Sequence, residues 1–202
     1  MIPSLPGLPS LHWTGADGEA SVDDASGALT LRAARGVDWT NDSTGGPWQH
    51  AATALAFPAP EGDFVLSARV RVLGARSTFD AGALALWSGV DRWAKLCNEN
   101  SPQGEPMVVS VVTNGFSDDA NGPLIPGDAV FLRIARVGAA YAFHFSVDGA
   151  AWHFVRLFRL DADPSSISLG FLAQAPMGDD ATAVFDGIDF ARRSLTDLRD
   201  LT

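Results

Sequence analysis

The sequence predicts an all-β fold, a sandwich of two antiparallel sheets, on three observations. From residue 63 onward apolar and polar residues alternate in short stretches, separated by turn signals at roughly 8–12-residue spacing. The alternation has a period of two: Tyr141, Phe143 and Phe145 fall on one face of their stretch, and Ala142, His144 and Ser146 on the other. No long helical pattern competes. A composition of 47% hydrophobic and 19% charged residues, the latter below the roughly 25% of ordinary soluble domains, leaves material for a core. All-β sandwiches of about 200–250 residues are routinely single domains, so the 202 residues are expected to form one, 1–202.

In chain order, the first 60 residues are the least regular. Strands are expected near Leu11–Trp13 and Leu29–Ala33, with loops at Gly45-Gly46-Pro47 and Pro58–Pro60, adding edge strands and a lip over one end of the sandwich. Nine strands then follow, at 64–72, 82–88, 93–99, 107–113, 129–137, 141–147, 152–160, 167–174 and 182–190. Asn114-Gly115, Asn121-Gly122 and Asp148-Gly149 supply turn residues that tolerate positive φ. After Phe190, the segment 191–202 is expected to form a short terminal helix with Leu195 and Leu198 facing inward. The chain has no repeat, low-complexity tract or domain linker.

Charge narrows the partners. Fourteen Lys+Arg against 24 Asp+Glu give a net charge of −10, which disfavours nucleic acid and anionic membrane surfaces, both of which need clustered basic residues. Cys97 is the single cysteine, so neither an intramolecular disulfide nor a cysteine-based zinc site forms within the chain. The N-terminus carries no positive charge before Arg32 and is broken by Pro3, Pro6 and Pro9, unlike a signal peptide, and no apolar run approaches the ~20 residues of a membrane span. A cytoplasmic protein is the expectation.

The segment 93–99 is the most informative. Two-residue alternation puts Trp93, Lys95, Cys97 and Glu99 on one face and Ala94, Leu96 and Asn98 on the other, an unusually polar face. Lys95 is the only lysine, the other 13 basic residues being arginine, which points to a need for an ammonium. The plainer alternative is a solvated outer face with a weak Lys–Glu pair. Arg156 lies between Phe154 and Phe158, and Arg133 follows Phe131 in the same manner. An arginine on an apolar face needs a partner or a route to solvent. Both arginines fit either a structural ion pair or a polar groove shared with Glu99, His144 and Gln174; His144 fits equally a simple hydrogen bond. Among six tryptophans, most are expected in the core, with Trp39 and Trp93 the best placed to stack on a ligand. The loop from Asn114 to Gly122 carries Ser117, Asp118 and Asp119, oxygen donors that fit Ca²⁺ less well than a plain polar turn, because the full calcium-loop pattern is missing. No metal site and no cofactor are expected. There is no H-E-x-x-H, G-x-S-x-G, P-loop or dinucleotide fingerprint, which argues against metalloprotease, serine hydrolase and nucleotide enzymes.

Several short motifs occur in order between about residues 36 and 190: Phe79-Asp80-Ala81-Gly82, Trp93-Ala94-Lys95 with Glu99, Ser110-Val111-Val112-Thr113 followed by Ser117-Asp118, Asp148-Gly149 with Trp152, and Ala175-Pro176. Together they resemble an uncharacterised family of bacterial and fungal proteins with a concanavalin-A-like lectin/glucanase jelly roll. Val37-Asp38-Trp39 resembles a further, short D-x-W element of that family, and Asp119 stands where the family often has Trp. The resemblance implies two antiparallel sheets with a groove on the curved one, residues 191–202 forming a short extension. It implies no activity, since fold does not fix function.

Three functions follow as expectations. The first is a binder of a saccharide or related polar small molecule, with Trp39 and Trp93 stacking, Lys95, Arg133 and Arg156 donating, and Glu99, Ser117, Asp118, His144 and Gln174 completing the site. The second is a glycoside hydrolase pairing Glu99 with an aspartate such as Asp118 or Asp80; it ranks lower because the E-x-D-x-x-E strand signature of concanavalin-like glucanases is missing. The third is a protein-interaction or regulatory domain with a vestigial groove.

Overall fold

The computed structural model describes residues 2–199. Its strands, in chain order, begin with β1 (His12–Trp13), β2 (Glu19–Val22), β3 (Leu29–Ala34), β4 (Trp39–Asn41), β5 (Trp48–His50), β6 (Thr53–Pro58), β7 (Phe64–Leu73) and β8 (Ala81–Gly89). They continue with β9 (Arg92–Asn100), β10 (Pro106–Asn114), β11 (Phe116–Leu124), β12 (Ala129–Val137), β13 (Ala140–Ser146), β14 (His153–Phe158), β15 (Ser168–Gln174) and β16 (Asp180–Ala191). Two seven-stranded antiparallel sheets result. The first runs β1-β6-β15-β8-β9-β10-β11 and the second β14-β13-β12-β7-β16-β3-β2, with β4 and β5 forming a separate hairpin. This is the expected jelly-roll sandwich, and each of the nine strands expected after residue 63 forms.

The alternation read from the sequence sorts side chains between the sheets. Leu84 and Leu86 of β8, Ala94 and Leu96 of β9, Leu132 and Ile134 of β12 and Phe171 of β15 all enter one buried cluster between the layers. Burying each leucine, isoleucine or phenylalanine among them is worth roughly 1.5–3 kcal/mol. At Gly82 the sheets approach so closely that a Cβ would lie 2.8 Å from Val70 Cγ1 and 2.9 Å from Ala183 Cβ. The glycine of the motif at 79–82 is thus required by packing.

Two expectations change. The segment 114–122, read as a polar turn, is mostly strand: Gly115 alone, at φ +92°, makes the tight turn, and β11 pairs back along β10 from Phe116 to Leu124. Hydrogen bonds from β10 override the weak strand preferences of Asp, Asn and Gly, as tertiary context commonly does at an edge. Its carboxylates therefore alternate faces instead of converging on a cation. The terminal helix does not form in residues 192–199, and 200–202 lie outside the described residues. The segment is an irregular strap on the outer face of the second sheet, where Leu195 packs with Val65 and Ala135, and Leu198 packs against them. Both leucines turn inward as expected, and burying them on a flat sheet needs no helix.

Candidate functional site

The face of the first sheet turned away from its partner carries a second, smaller buried cluster. Cross-strand register builds it in rows. Gly170, Ala85, Lys95, Val111 and Asp119 form one row, Leu172, Ala83, Cys97, Val109 and Asn121 the next, and Gln174, Ala81, Glu99 and Met107 a third. The alanines of β8 keep the floor shallow, and the β4–β5 hairpin lies over it, Trp39 packing with Ala83, Ala85, Trp93 and Leu172. Asn41 latches this cover. Its amide nitrogen donates to Val90 O at 2.9 Å and Gly115 O at 2.7 Å, its backbone N–H donates to Ser117 Oγ at 2.9 Å, and its Oδ1 lies 2.8 Å from His50 Nε2.

Beside the hairpin opens a pocket of about 200 Å³ whose lining includes Asp38, Phe79, Lys95, Glu99, Asp119 and Gln174. Lys95 is its centre. The ammonium donates to Asp38 Oδ1 at 2.9 Å, Trp39 O at 2.7 Å and Gln174 Oε1 at 2.8 Å, using all three protons. Burial is the largest single influence on Lys95 and lowers its pKa, but the charge and hydrogen bond of Asp38 together with the nearby Cys97 and Glu99 outweigh it, and the net shift is upward. Gln174 carries the network on: its Nε2 donates to Phe79 O at 3.0 Å and, at a long 3.4 Å, to Glu99 Oε2. Glu99 is buried without a close cation, so loss of water raises its pKa from 4.5 to about 7; Lys95 opposes that rise, and Asp38 and Asp119 add to it. Partial desolvation also raises Asp119, at the open side of the pocket. Cys97 lies on the same floor, its thiol pushed well up by burial and so kept protonated. The arrangement presents carboxyl oxygens and amides to a small polar guest and a carboxyl able to hold its proton near neutrality.

The structure places Trp93, Lys95, Cys97 and Glu99 on one face of β9, as the alternation predicts, and brings Trp39 and Gln174 against that face. The solvated-face alternative fails, because Lys95 is only 3% exposed, and its ion partner is Asp38 rather than Glu99. Trp39 and Trp93 do not offer stacking faces. Both are fully buried, their ring centroids 5.7 Å apart, because the hairpin seals them. Ser117 is buried as a strut, bonded to Asn41 and, at 3.0 Å, to Thr113. Asp118 pairs in register with Val112, a core-facing residue, so it points away from the Glu99 face; it meets Arg156 Nη2 at 2.7 Å across the β11 and β14 edges. That corrects Asp118 as a partner for Glu99 and Arg156 as a groove donor. Asp80, the other aspartate considered, accepts Ser77 N–H at 2.7 Å in the 77–80 turn. Arg133 and His144 are cross-strand neighbours on the outer face of the second sheet, the opposite side of the sandwich. There Arg133 covers the Trp152 ring at 4.4 Å, and His144 Nε2 bonds Leu198 O at 2.8 Å. Period-two reading assigns a face within a strand but not which sheet the strand joins, and this is why these two were grouped with Glu99.

Asp38, Phe79 and Asp119 are among the lining residues that the sequence reading missed, with Thr40, Val109, Val111 and Asn121. Signals for the first three were present in the D-x-W element, in the motif at 79–82 and in the aspartate that departs from the family's tryptophan. Among the described residues no group of three or more His, Cys, Asp or Glu side chains is placed to hold a metal ion, and no helix is long and apolar enough to cross a membrane.

Residues 13–193 match the model of the family described as "Protein of unknown function (DUF1349)". The chain belongs to this family. No curated protein matches it. Among solved structures, a functionally unknown protein from Saccharomyces cerevisiae superposes with a TM-score of 0.80 at 20% identity, over 91% of this chain and 96% of that one. A xylan beta-1,4-xylosidase from Bacillus halodurans gives a TM-score of 0.67 at 16% identity, over 85% of this chain and 34% of that one, so the likeness spans about a third of the enzyme. The carbohydrate binding module CBM66 from Bacillus subtilis gives 0.54 at 15% identity, over 88% and 94%. At these identities the DUF1349 chain shares their fold.

Proposed function

We propose that this protein binds a saccharide in the pocket beside the β4–β5 hairpin, without a cofactor. The observation that carries the reading is the buried Asp38–Lys95–Gln174–Glu99 network bordering a small open pocket. Buried charge is costly unless it is fully bonded, and a sheet face with no ligand to meet is built more cheaply from apolar residues. Sugar hydroxyls match such a wall, since each both donates and accepts. The sandwich neighbours that bind or process carbohydrate support the same reading.

Glu99 favours a second reading, glycoside hydrolysis, because a carboxyl with a pKa of about 7 is suited to protonate a leaving group. Its carboxylate partner is then Asp119, which lines the same pocket. One experiment addresses both. Wild type and Glu99→Gln are screened by thermal shift against neutral mono- and disaccharides, and each sugar that binds is assayed for hydrolysis. A sugar at 100 Kd stabilises the wild type by about 2.7 kcal/mol. A shift that shrinks in Glu99→Gln, with no turnover, is the outcome expected of a binder; turnover lost in a variant that still binds identifies the hydrolase. No shift with any sugar overturns both readings.

A further inference from the structure

We infer that Phe79 is the stacking platform of this pocket, and that the guest is a single neutral sugar ring laid with its C–H face on the phenyl ring and its hydroxyl edge toward the carboxyl oxygens of Asp38, Glu99 and Asp119. The inference rests on the pocket being a saccharide site.

Three observations carry it. Phe79 is the one aromatic lining residue with free surface, 39% exposed, whereas Trp39 is sealed. Its backbone is held in a conformation that an aromatic residue disfavours, at φ +65°; every other positive φ among the described residues belongs to glycine. A chain that uses glycine at each other such position keeps a bulky ring here, against the backbone's preference and half in water. Strain of this kind persists where the surroundings over-determine it, commonly at binding sites. The surroundings do so. Phe79 N–H donates to Asn100 O at 2.8 Å, Asp80 N–H to Ser77 O at 3.2 Å and Ser77 N–H to Asp80 Oδ2 at 2.7 Å. The Phe79 carbonyl accepts from Gln174, the same side chain that meets Lys95 and Glu99. One glutamine thus ties the backbone that carries the phenyl ring to the polar wall.

The guest's class follows from the two walls. A polar side rich in acceptors opposite one aromatic face suits a ring with a hydroxyl edge and an apolar C–H face. A volume of about 200 Å³, some seven waters at about 30 Å³ each, is the scale of one ring. Three lining carboxyl side chains, with Lys95 committed to Asp38, disfavour sugar acids.

The test uses methyl glycosides of glucose, galactose, mannose, xylose, arabinose and fructose as probes, read by saturation-transfer NMR and calorimetry on wild type, F79A, F79G and F79Y. We expect at least one to bind the wild type, with transfer strongest to protons of one ring face. F79A and F79G then weaken it about tenfold, and F79Y stays within threefold. F79G is also expected to melt about 2–4 °C above F79A, since glycine relieves the positive φ that alanine retains. Equal binding by wild type and F79A overturns the role of Phe79 and leaves the pocket reading intact; so does a loss in F79Y equal to that in F79A. A wild type that binds no glycoside but binds glucuronate or galacturonate overturns the neutral-ring assignment alone. A wild type that binds none of these overturns the saccharide site and the stacking with it.

Discussion

Glu99 and Asp38 line one pocket but do not share a partner of the same kind. Asp38 faces the Lys95 ammonium at 2.9 Å, whereas Glu99 receives one long bond from an amide and loses water. A folded-state pKa of about 7 against an ordinary 4.5 means that the native state holds a proton that the unfolded state releases. The associated stability is fully present below about pH 4.5 and is lost as pH rises through about 7. At roughly 1.4 kcal/mol per pH unit the loss is about 3 kcal/mol. Urea titrations of wild type and Glu99→Gln between pH 4.5 and 8 measure it. We expect the wild type to lose about 3 kcal/mol relative to the variant over that range, and parallel profiles would show that Glu99 is ionised throughout. At this scale the sequence was informative about faces and silent about depth. Alternation grouped Trp93, Lys95, Cys97 and Glu99 correctly, but the hairpin that buries the tryptophans arrives from residues 39–50, a contact that no local pattern encodes.

The β4–β5 hairpin is only three residues a side, too short to be stable alone. It is held by what it covers and by Asn41, whose side chain reaches the turns on either side of β9 and β10 at Val90 and Gly115. Asn41→Ala leaves both carbonyls and His50 without that partner and is expected to cost about 2–3 kcal/mol, the toll of stranding buried polar groups. Because Trp39 and Trp87 pack at 4.4 Å beneath this cover, tryptophan emission is also expected to shift to the red as the hairpin loosens. An unchanged urea midpoint and emission would mean that the aromatic packing alone holds the lid. Elements with strong alternation and branched or aromatic residues were legible from the sequence, β7, β10, β12 and β13 most clearly. Several short or polar elements were not, although β1 was expected near Leu11–Trp13: β2, β4 and β5 carried no signal that was read, and β11, reading Phe-Ser-Asp-Asp-Ala-Asn-Gly-Pro-Leu, is a strand only because β10 lies beside it.

Across the whole molecule, the sandwich places two buried titratable groups on opposite outer faces with opposite pH behaviour. His144, under the C-terminal strap, has its pKa lowered from 6.5 to about 4 by burial, with the Arg133 charge adding to the fall. Its contribution is present above about pH 6.5 and lost as pH falls through about 4, while that of Glu99 runs the other way. The two sheets stand about 10 Å apart across a close-packed core, so the groups share no partner. Distant sites without shared partners add to within about 0.3–0.5 kcal/mol. We therefore expect Glu99→Gln to unmask a stability that rises from pH 4 to 6.5, and His144→Gln one that falls from pH 4.5 to 7. The double variant should equal the sum of the two at every pH, as measured by urea unfolding. A coupling above about 1 kcal/mol would show that strain passes between the pocket face and the strap face through the core, making the strap a lever on the pocket.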